Sequence, residues 1–336
     1  MKPNTKLVTL HDNIKQIVNL LDELVLQPRI NAIKWSRITK QTPNIKIGYP
    51  GQHLASLISG MSGERTGARG NDLVDGSEVK SCSRIDQLDK CNNCESPVAR
   101  LEDNCSVCGS SDIKRNNDSK WLFSIRNRSD LELLTKKVPR VVLIIGDYPN
   151  FEKDDFSTLR FQSFEIWPSS PRQKVFSEIM TNYYEKIYLG HKKVNQSSNP
   201  APKNFWPYQY QFYICNPIQT FSCIVKNSGS TPKITIENYI EPSIDRSKIP
   251  SILMPAEILK EEEIDVILNK IPDIILKRYL VGFTTKKQAL SMSLKDKMKL
   301  FSNGVNEELR AVLPLRDTDK ISTAKSSYSR RGLKLF

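Results

Sequence analysis

Four of the seven cysteines stand in two tight pairs, Cys91-x2-Cys94 and Cys105-x2-Cys108, with a ten-residue spacer between them. Each pair can offer two thiolates to one ion, and together they make the four corners of a tetrahedron with metal–sulfur bonds of about 2.3 Å. Such a shell leaves no open position for water, so the Zn2+ expected on Cys91, Cys94, Cys105 and Cys108 is structural. The alternatives are disulfides or free thiols, and in a reducing compartment the spacing favours metal. A zinc ribbon over about 88–115 is the expectation. Cys82, Cys215 and Cys223 lack such partners and read as small apolar residues.

Only ten residues separate the first ribbon cysteine from Lys80, so whatever precedes the ribbon is folded against it. Asp72-Leu73-Val74 and Ser77 to Ser81 read as the arms of a hairpin closed by a type I′ turn at Asp75-Gly76. Strand alternation puts Glu78 and Lys80 of the Glu78-Val79-Lys80 tripeptide on one face, and Asp72 on the neighbouring arm can reach them. Two carboxylates and an ammonium in this order have the chemistry of a metal-dependent phosphodiesterase. The carboxylates can share a Mg2+ ion, which polarises a phosphate and acidifies a bound water, while the ammonium stabilises developing charge. Glu64, on the preceding Gly-rich segment, offers a further carboxylate for a second metal or for water activation; a solvated loop glutamate is the plain alternative. Asp75 can replace Asp72, although a turn residue there points away from the Glu78 face.

Around this segment the hydrophobic pattern describes a globular α/β chain. Leu10, Ile14, Ile17, Val18, Leu21, Leu24 and Val25 make a helical stripe that Pro28 should end, and further helices are expected over Ile33 to Ile38 and from Pro50-Gly51. Apolar runs at Trp121 to Ile125, Val141 to Ile145 and Leu159 to Trp167 read as strands of one sheet, with helices near Leu131 and over Arg172 to Leu189. After a Pro/Asn/Ser-rich break at Asn195 to Asn204 the pattern changes to short strands near Tyr208 to Ile214, Phe221 to Lys226 and Lys233 to Asn238. Helices follow over Ala256 to Asn269, Ile274 to Tyr279 and Lys286 to Phe301, then a basic tail. The expected division is a helical region 1–48, a core 49–194 carrying the ribbon, and a C-terminal region 195–336 for recognition or dimerisation.

A formal charge of +13, from 50 Lys and Arg against 37 Asp and Glu, favours a polyanionic partner. Arg65, Arg69, Lys114, Arg115 and Lys120 flank the catalytic segment and the ribbon and are the candidates for phosphate contacts, a solvated surface being the alternative for each. No stretch approaches the ~18 apolar residues of a membrane span, and the N-terminus lacks a signal-peptide core, so a cytoplasmic protein is expected. There is no GxxxxGK[ST] loop, no GxGxxG run and no cluster among His11, His53 and His191, which argues against an ATP-driven motor, a fused methyltransferase and a histidine-metal nuclease.

With GARGNDLVDGSEVKSCS, the two cysteine knuckles and SKWLFSIR in view, the chain resembles type II restriction endonucleases of the MamI-type family. The likeness covers Tyr49 to about Leu189 and is sharpest over Gly67 to Ser81. It implies a PD-(D/E)XK restriction-endonuclease-like core, a mixed sheet flanked by helices, with the zinc ribbon inserted and a C-terminal strand and helix region added. It implies Asp72, Glu78 and Lys80 in the catalytic positions and unmethylated double-stranded DNA as substrate, cut at a short palindromic site by a homodimer in a prokaryotic cytoplasm. A cognate DNA methyltransferase would be its genetic partner. The gap between Asp72 and Glu78 is short for that superfamily. A repair or recombination nuclease on the same core, or a non-catalytic zinc-ribbon DNA-binding protein, are the competing readings.

Overall fold

The computed structural model describes residues 1–7, 12–44, 46–65 and 71–316. Its strands, in chain order, are β1 (Glu78–Ser83), β2 (Asp89–Cys91), β3 (Pro97–Val98), β4 (Ile113–Lys114), β5 (Trp121–Phe123), β6 (Val141–Asp147), β7 (Leu159–Ile166), β8 (Lys203–Phe205), β9 (Ile218–Lys226) and β10 (Lys233–Tyr239). They sit in two compact units that interleave along the chain. The first comprises Met1–Trp121, Lys137–Glu165 and Gln219–Arg246; the second comprises Leu122–Lys136, Ile166–Ile218 and Ser247–Phe336.

The first unit is built on a five-stranded mixed sheet in the order β1-β6-β7-β9-β10, in which β1 runs parallel to β6 and β9 antiparallel to β10. The continuous apolar run Val141 to Ile145 is buried at every position of β6, as expected for a strand covered on both faces. Helices α1 (Asn13–Leu21), α2 (Gln27–Thr39) and α3 (Gly48–Ser59) belong to this unit, and Ile17, Leu21, Leu54, Ala55 and Ile58 join Val79, Val142, Ile144 and Phe161 in one core. A Cβ at Gly51 would overlap Ser81 Oγ, so glycine is what lets α3 approach β1 this closely.

Several expectations about the elements are corrected by this architecture. Pro28 does not end the first helix: the chain runs from α1 through a π-helical turn at Asp22–Leu26 into α2 without leaving helical backbone, and Pro28, which has no N–H to give, follows directly on that wider turn. The expected hairpin is not formed, because Leu73 makes only an isolated bridge to Gly63 while Glu78 to Ser83 pair in parallel with β6. Trp121–Phe123 pairs with β8 in a two-stranded sheet and is no member of the main one. Residues Tyr210–Ile214 form a short helix, all five buried, where alternation of aromatic and polar residues suggests a strand; total burial removes the face-to-face contrast on which a period-of-two reading depends. The strands at Phe221 to Lys226 and Lys233 to Asn238 do form, and they complete the main sheet as β9 and β10.

The second unit contains Leu122 and Phe123 of β5, strand β8 and most of the helices, among them Lys174–Asn182, Glu261–Lys270, Asp273–Tyr279, Lys286–Ser291 and Leu294–Leu300. Phe123, Phe176 and Phe205 meet edge to face with centroids 5.5 to 6.0 Å apart. The expected single helix over Lys286 to Phe301 is two helices, because Ser293 caps the second by accepting from the Asp296 amide. No helix among the described residues is long and apolar enough to cross a membrane.

Candidate active site and metal centre

Asp72 lies in the loop that enters β1, and its carboxylate is bound at both oxygens: Oδ2 accepts from the Val79 amide at 2.7 Å and Oδ1 from Gln52 Nε2 at 2.9 Å. The first of these bonds carries Asp72 to the start of β1 although the hairpin is missing. Beyond it, Glu78 is buried and its carboxylate forms an ion pair with the Lys80 ammonium, two residues on along the same strand. Burial raises the pKa of Asp72 above the ordinary carboxylate value, against the Val79 hydrogen bond, and the charge of Glu78 raises it further while Lys80 opposes. A buried carboxylate whose charge is penalised by burial and by a second carboxylate beside it belongs to a donor set suited to a hard cation. Asp72 and Glu78 are the residues of this group that could hold a divalent cation.

An open cleft of about 700 Å³ lies beside Asp72 and Lys80, lined by these two, by α3 residues Tyr49, Gln52, His53 and Ser56, by Glu64 and Arg65, and by Ser81. Glu64 reaches the site through its backbone, its amide donating to the Asp72 carbonyl at 3.0 Å, while its side chain is exposed. It does not form a three-carboxylate group with Asp72 and Glu78; among the described residues the four cysteines are the sole such cluster of potential metal ligands. Asp75 is turned away and makes an ion-pair contact of 3.0 Å with Arg140. Gln52 was not among the sequence candidates. Its signal was the polar stripe Tyr49, Gln52/His53, Ser56 on the side of α3 opposite Leu54, Ala55 and Ile58.

Because the buried charge of Asp72 opposes folding, its stabilising effect belongs to the protonated form and is lost as pH rises through the raised folded value. We therefore expect Asp72→Asn to melt above the wild type at pH 7, with the difference closing below the ordinary carboxylate range. Thermal melts at both pH values check this, and a lower melting temperature at pH 7 would contradict it.

The ribbon is a three-stranded antiparallel sheet in the order β3-β2-β4. Its two knuckles repeat one backbone pattern: Cys91 O accepts from the Glu95 amide at 3.0 Å and Cys105 O from Gly109 at 2.8 Å, while the Cys91 and Cys105 amides donate to Ser96 O and Ser110 O. Both turns need a left-handed residue at the same place, supplied by Gly109 (φ 72°) and by Glu95 (φ 61°). All four sulfurs lie within 4.8 Å of one another, with Cys91–Cys108 at 3.6 Å and Cys94–Cys105 at 3.5 Å. A tetrahedron with 2.3 Å bonds has edges of about 3.8 Å, so the cluster has the size of a zinc site and is far wider than a disulfide. Hydrogen bonds from the side chain and backbone of Ser96 pull the Cys94 thiol down to about 6, the direction a thiolate ligand needs. Cys82, by contrast, is pushed up to about 11 by burial, in keeping with a small apolar residue.

The basic candidates are placed differently from one another. Arg65 lines the cleft and is exposed, and Lys114 is exposed on β4. Lys120 is half-buried and close enough to Cys82 for its charge to bear on that thiol. Arg115 is bound internally, 3.0 Å from Asp89 Oδ2 and over the Phe156 ring. Arg69 lies outside the described residues. Arg100, which the sequence reading passed over, is fully buried: it pairs with Asp89 at 2.8 Å and lies over the Tyr148, Phe151 and Phe156 rings, which secures the ribbon to the end of the main sheet.

The model of the family described as MamI restriction endonuclease matches residues 34–257, more than half of the chain. A curated relative, the type II restriction enzyme MamI of Microbacterium ammoniaphilum, is 34% identical over 80 residues, which are 23% of this chain and 26% of the relative. The match thus spans about a quarter of that relative's length. No solved structure matches. The family match contains α3, the Asp72-to-Lys80 segment, the four cysteines and the five-stranded sheet, and the chain therefore belongs to the MamI restriction endonuclease family.

Proposed function

We propose that this chain is a type II site-specific deoxyribonuclease with a PD-(D/E)XK core, hydrolysing phosphodiester bonds of double-stranded DNA at a short sequence in the presence of Mg2+. The observation that supports this reading is that Asp72 and Lys80 line one cleft while buried Glu78, two residues before Lys80 on the same strand, is ion-paired to it, with Asp72 raised by burial and by Glu78. When bound between the two carboxylates, Mg2+ supplies a Lewis acid for the scissile phosphate and lowers the pKa of water. Asp72 is held ready by Val79 and Gln52, so its carboxylate need not reorganise on arrival of the ion. Lys80 answers the charge of Glu78 in the free protein and can turn its ammonium to the charge that develops on phosphate. Arg65 at the cleft and Lys114 on the ribbon are proposed phosphate contacts, together with Lys120 and Arg69; Arg115 serves through the fold of the ribbon. Glu64 remains the proposed extra carboxylate, reachable through rearrangement of its exposed side chain.

Zn2+ on the four cysteines is proposed as a structural ion beside the DNA. A palindromic site read by a homodimer, with a cognate methyltransferase sparing the host genome, completes the reading. Residues 195–336 are proposed to carry much of the recognition or dimerisation surface. A chain cut near Asn195 would lose β9 and β10 from the main sheet, so this is a question for point substitutions in the full chain. The test of the whole reading is digestion of DNA of known sequence with Mg2+, followed by end mapping. Discrete fragments with one common end sequence are expected; structure-dependent nicking would favour a repair nuclease, and binding without cleavage a non-catalytic DNA-binding protein.

A further inference from the structure

A buried chain of alternating charges ends at the turn between Asp72 and Glu78. Arg246 pairs with Glu165 at 3.2 Å, Glu165 with Arg140 at 3.1 Å, and Arg140 with Asp75 at 3.0 Å. Arg140, Glu165 and Arg246 are buried almost completely. Arg140 also donates from Nε to Ser77 Oγ at 2.9 Å, and its backbone carbonyl accepts the Glu78 amide at 3.1 Å. It therefore grips the turn from both sides. The turn itself is tight: the Gly76 amide donates to Leu73 O at 2.8 Å with Gly76 at φ 84°, and the Asp72 and Leu73 amides both point at Ser77 O. Ser77 N in turn donates to Asp75 Oδ1 at 3.0 Å.

We propose that Arg140 is a positioning residue for the catalytic carboxylates, acting through Asp75 and Ser77 to fix the turn that sets Asp72 against Glu78. The proposal rests on the nuclease reading above. Neither Arg140 nor Asp75 touches substrate in it. Their work is done by geometry: with no hairpin ladder to hold the Asp72 arm, the arm is located by the Val79 and Gln52 bonds to the carboxylate and by a turn whose far end is pinned to β6 and β7. The buried ion chain is net neutral, so a guanidinium can be kept there without an unpaired charge. Lysine cannot replace it, because a single ammonium does not span the positions from which the guanidinium donates to Ser77 and Glu165 while lying against Asp75.

The test uses Arg140→Lys and the milder Asp75→Asn in the full chain, since Asp75→Asn keeps the side-chain oxygen that Ser77 N needs. Three quantities are read: DNA affinity in Ca2+, kcat against KM in Mg2+, and Mn2+ affinity by calorimetry, which does not depend on turnover. Both variants are expected to keep DNA affinity and KM within about two-fold. kcat should fall roughly 100-fold for a displacement of about 1 Å, and Mn2+ affinity should weaken at least several-fold. Glu78→Ala serves as the control that turnover belongs to this site. Wild-type cleavage with unchanged kcat and Mn2+ affinity in both variants overturns the positioning role and leaves the nuclease reading standing. A wild type indistinguishable from Glu78→Ala overturns both. Loss of the folded state in Asp75→Asn assigns the ion chain to stability alone and also overturns the proposal.

Discussion

Glu78→Ala is expected to cut DNA at least about 10³-fold more slowly than the wild type, a loss of about 4 kcal/mol in transition-state stabilisation, while binding DNA equally well or more tightly. The reason lies in three charges. Glu78 is buried, neutralises Lys80, and raises the pKa of Asp72. Its removal deprives the cation of one carboxylate, relieves Asp72 of a repelling neighbour and takes one negative charge away from Lys80. Metal affinity and turnover therefore fall, whereas attraction to the DNA backbone rises. Glu78→Gln should behave alike, because charge rather than volume is lost. Cleavage rates in Mg2+ and binding in Ca2+ check both halves. Cleavage within ten-fold of the wild type would remove Glu78 from the metal ligands.

Cys91→Ser carries the second large effect, on stability. Cys91 is fully buried at the end of β2, packed with Cys105 and Val98, and the ribbon has little apolar core besides these residues. Binding free energy at such a site is folding free energy, on the order of 10 kcal/mol for structural zinc, so the ribbon should unfold when one ligand is lost. The damage should spread. Asp89, two residues earlier, is the partner of both Arg100 and Arg115, and Arg100 is enclosed by Tyr148, Phe151 and Phe156. The variant should lose its zinc, about one ion per chain in the wild type, and melt well below it or fail to accumulate. A zinc-free wild type of full activity, or a Cys91→Ser protein of unchanged melting temperature, would contradict the ribbon.

The parts of this molecule that were legible in the sequence are those written in local spacing. The cysteine knuckles needed only two CxxC pairs, and the sulfurs converge as that spacing requires. The β6 strand announced itself by an unbroken apolar run, and α3 by its apolar residues and Pro50-Gly51. Glu78 and Lys80 could be set on one face because alternation is a property of any strand. What spacing cannot give is partners distant along the chain. Nothing local says that β1 pairs with β6, 63 residues on from Glu78 to Val141, instead of with the arm carrying Asp72. The bond from Asp72 to the Val79 amide replaces the missing ladder, and no periodicity encodes it. Arg100, Arg140 and Arg246 were invisible for a related reason. A lone arginine reads as surface charge, and only the folded chain shows its guanidinium enclosed by carboxylates or rings.

The central claim is that Asp72 and Glu78 form a divalent-cation site. The most direct measurement is crystallographic: crystals soaked in Mn2+ in place of Mg2+, with anomalous difference maps collected at the manganese and zinc absorption edges. A manganese peak within coordinating distance of both carboxylates, and a separate zinc peak at the centre of Cys91, Cys94, Cys105 and Cys108, is the predicted result. Manganese bound elsewhere, with Lys80 still paired to Glu78 and no density beside Asp72, would contradict the account.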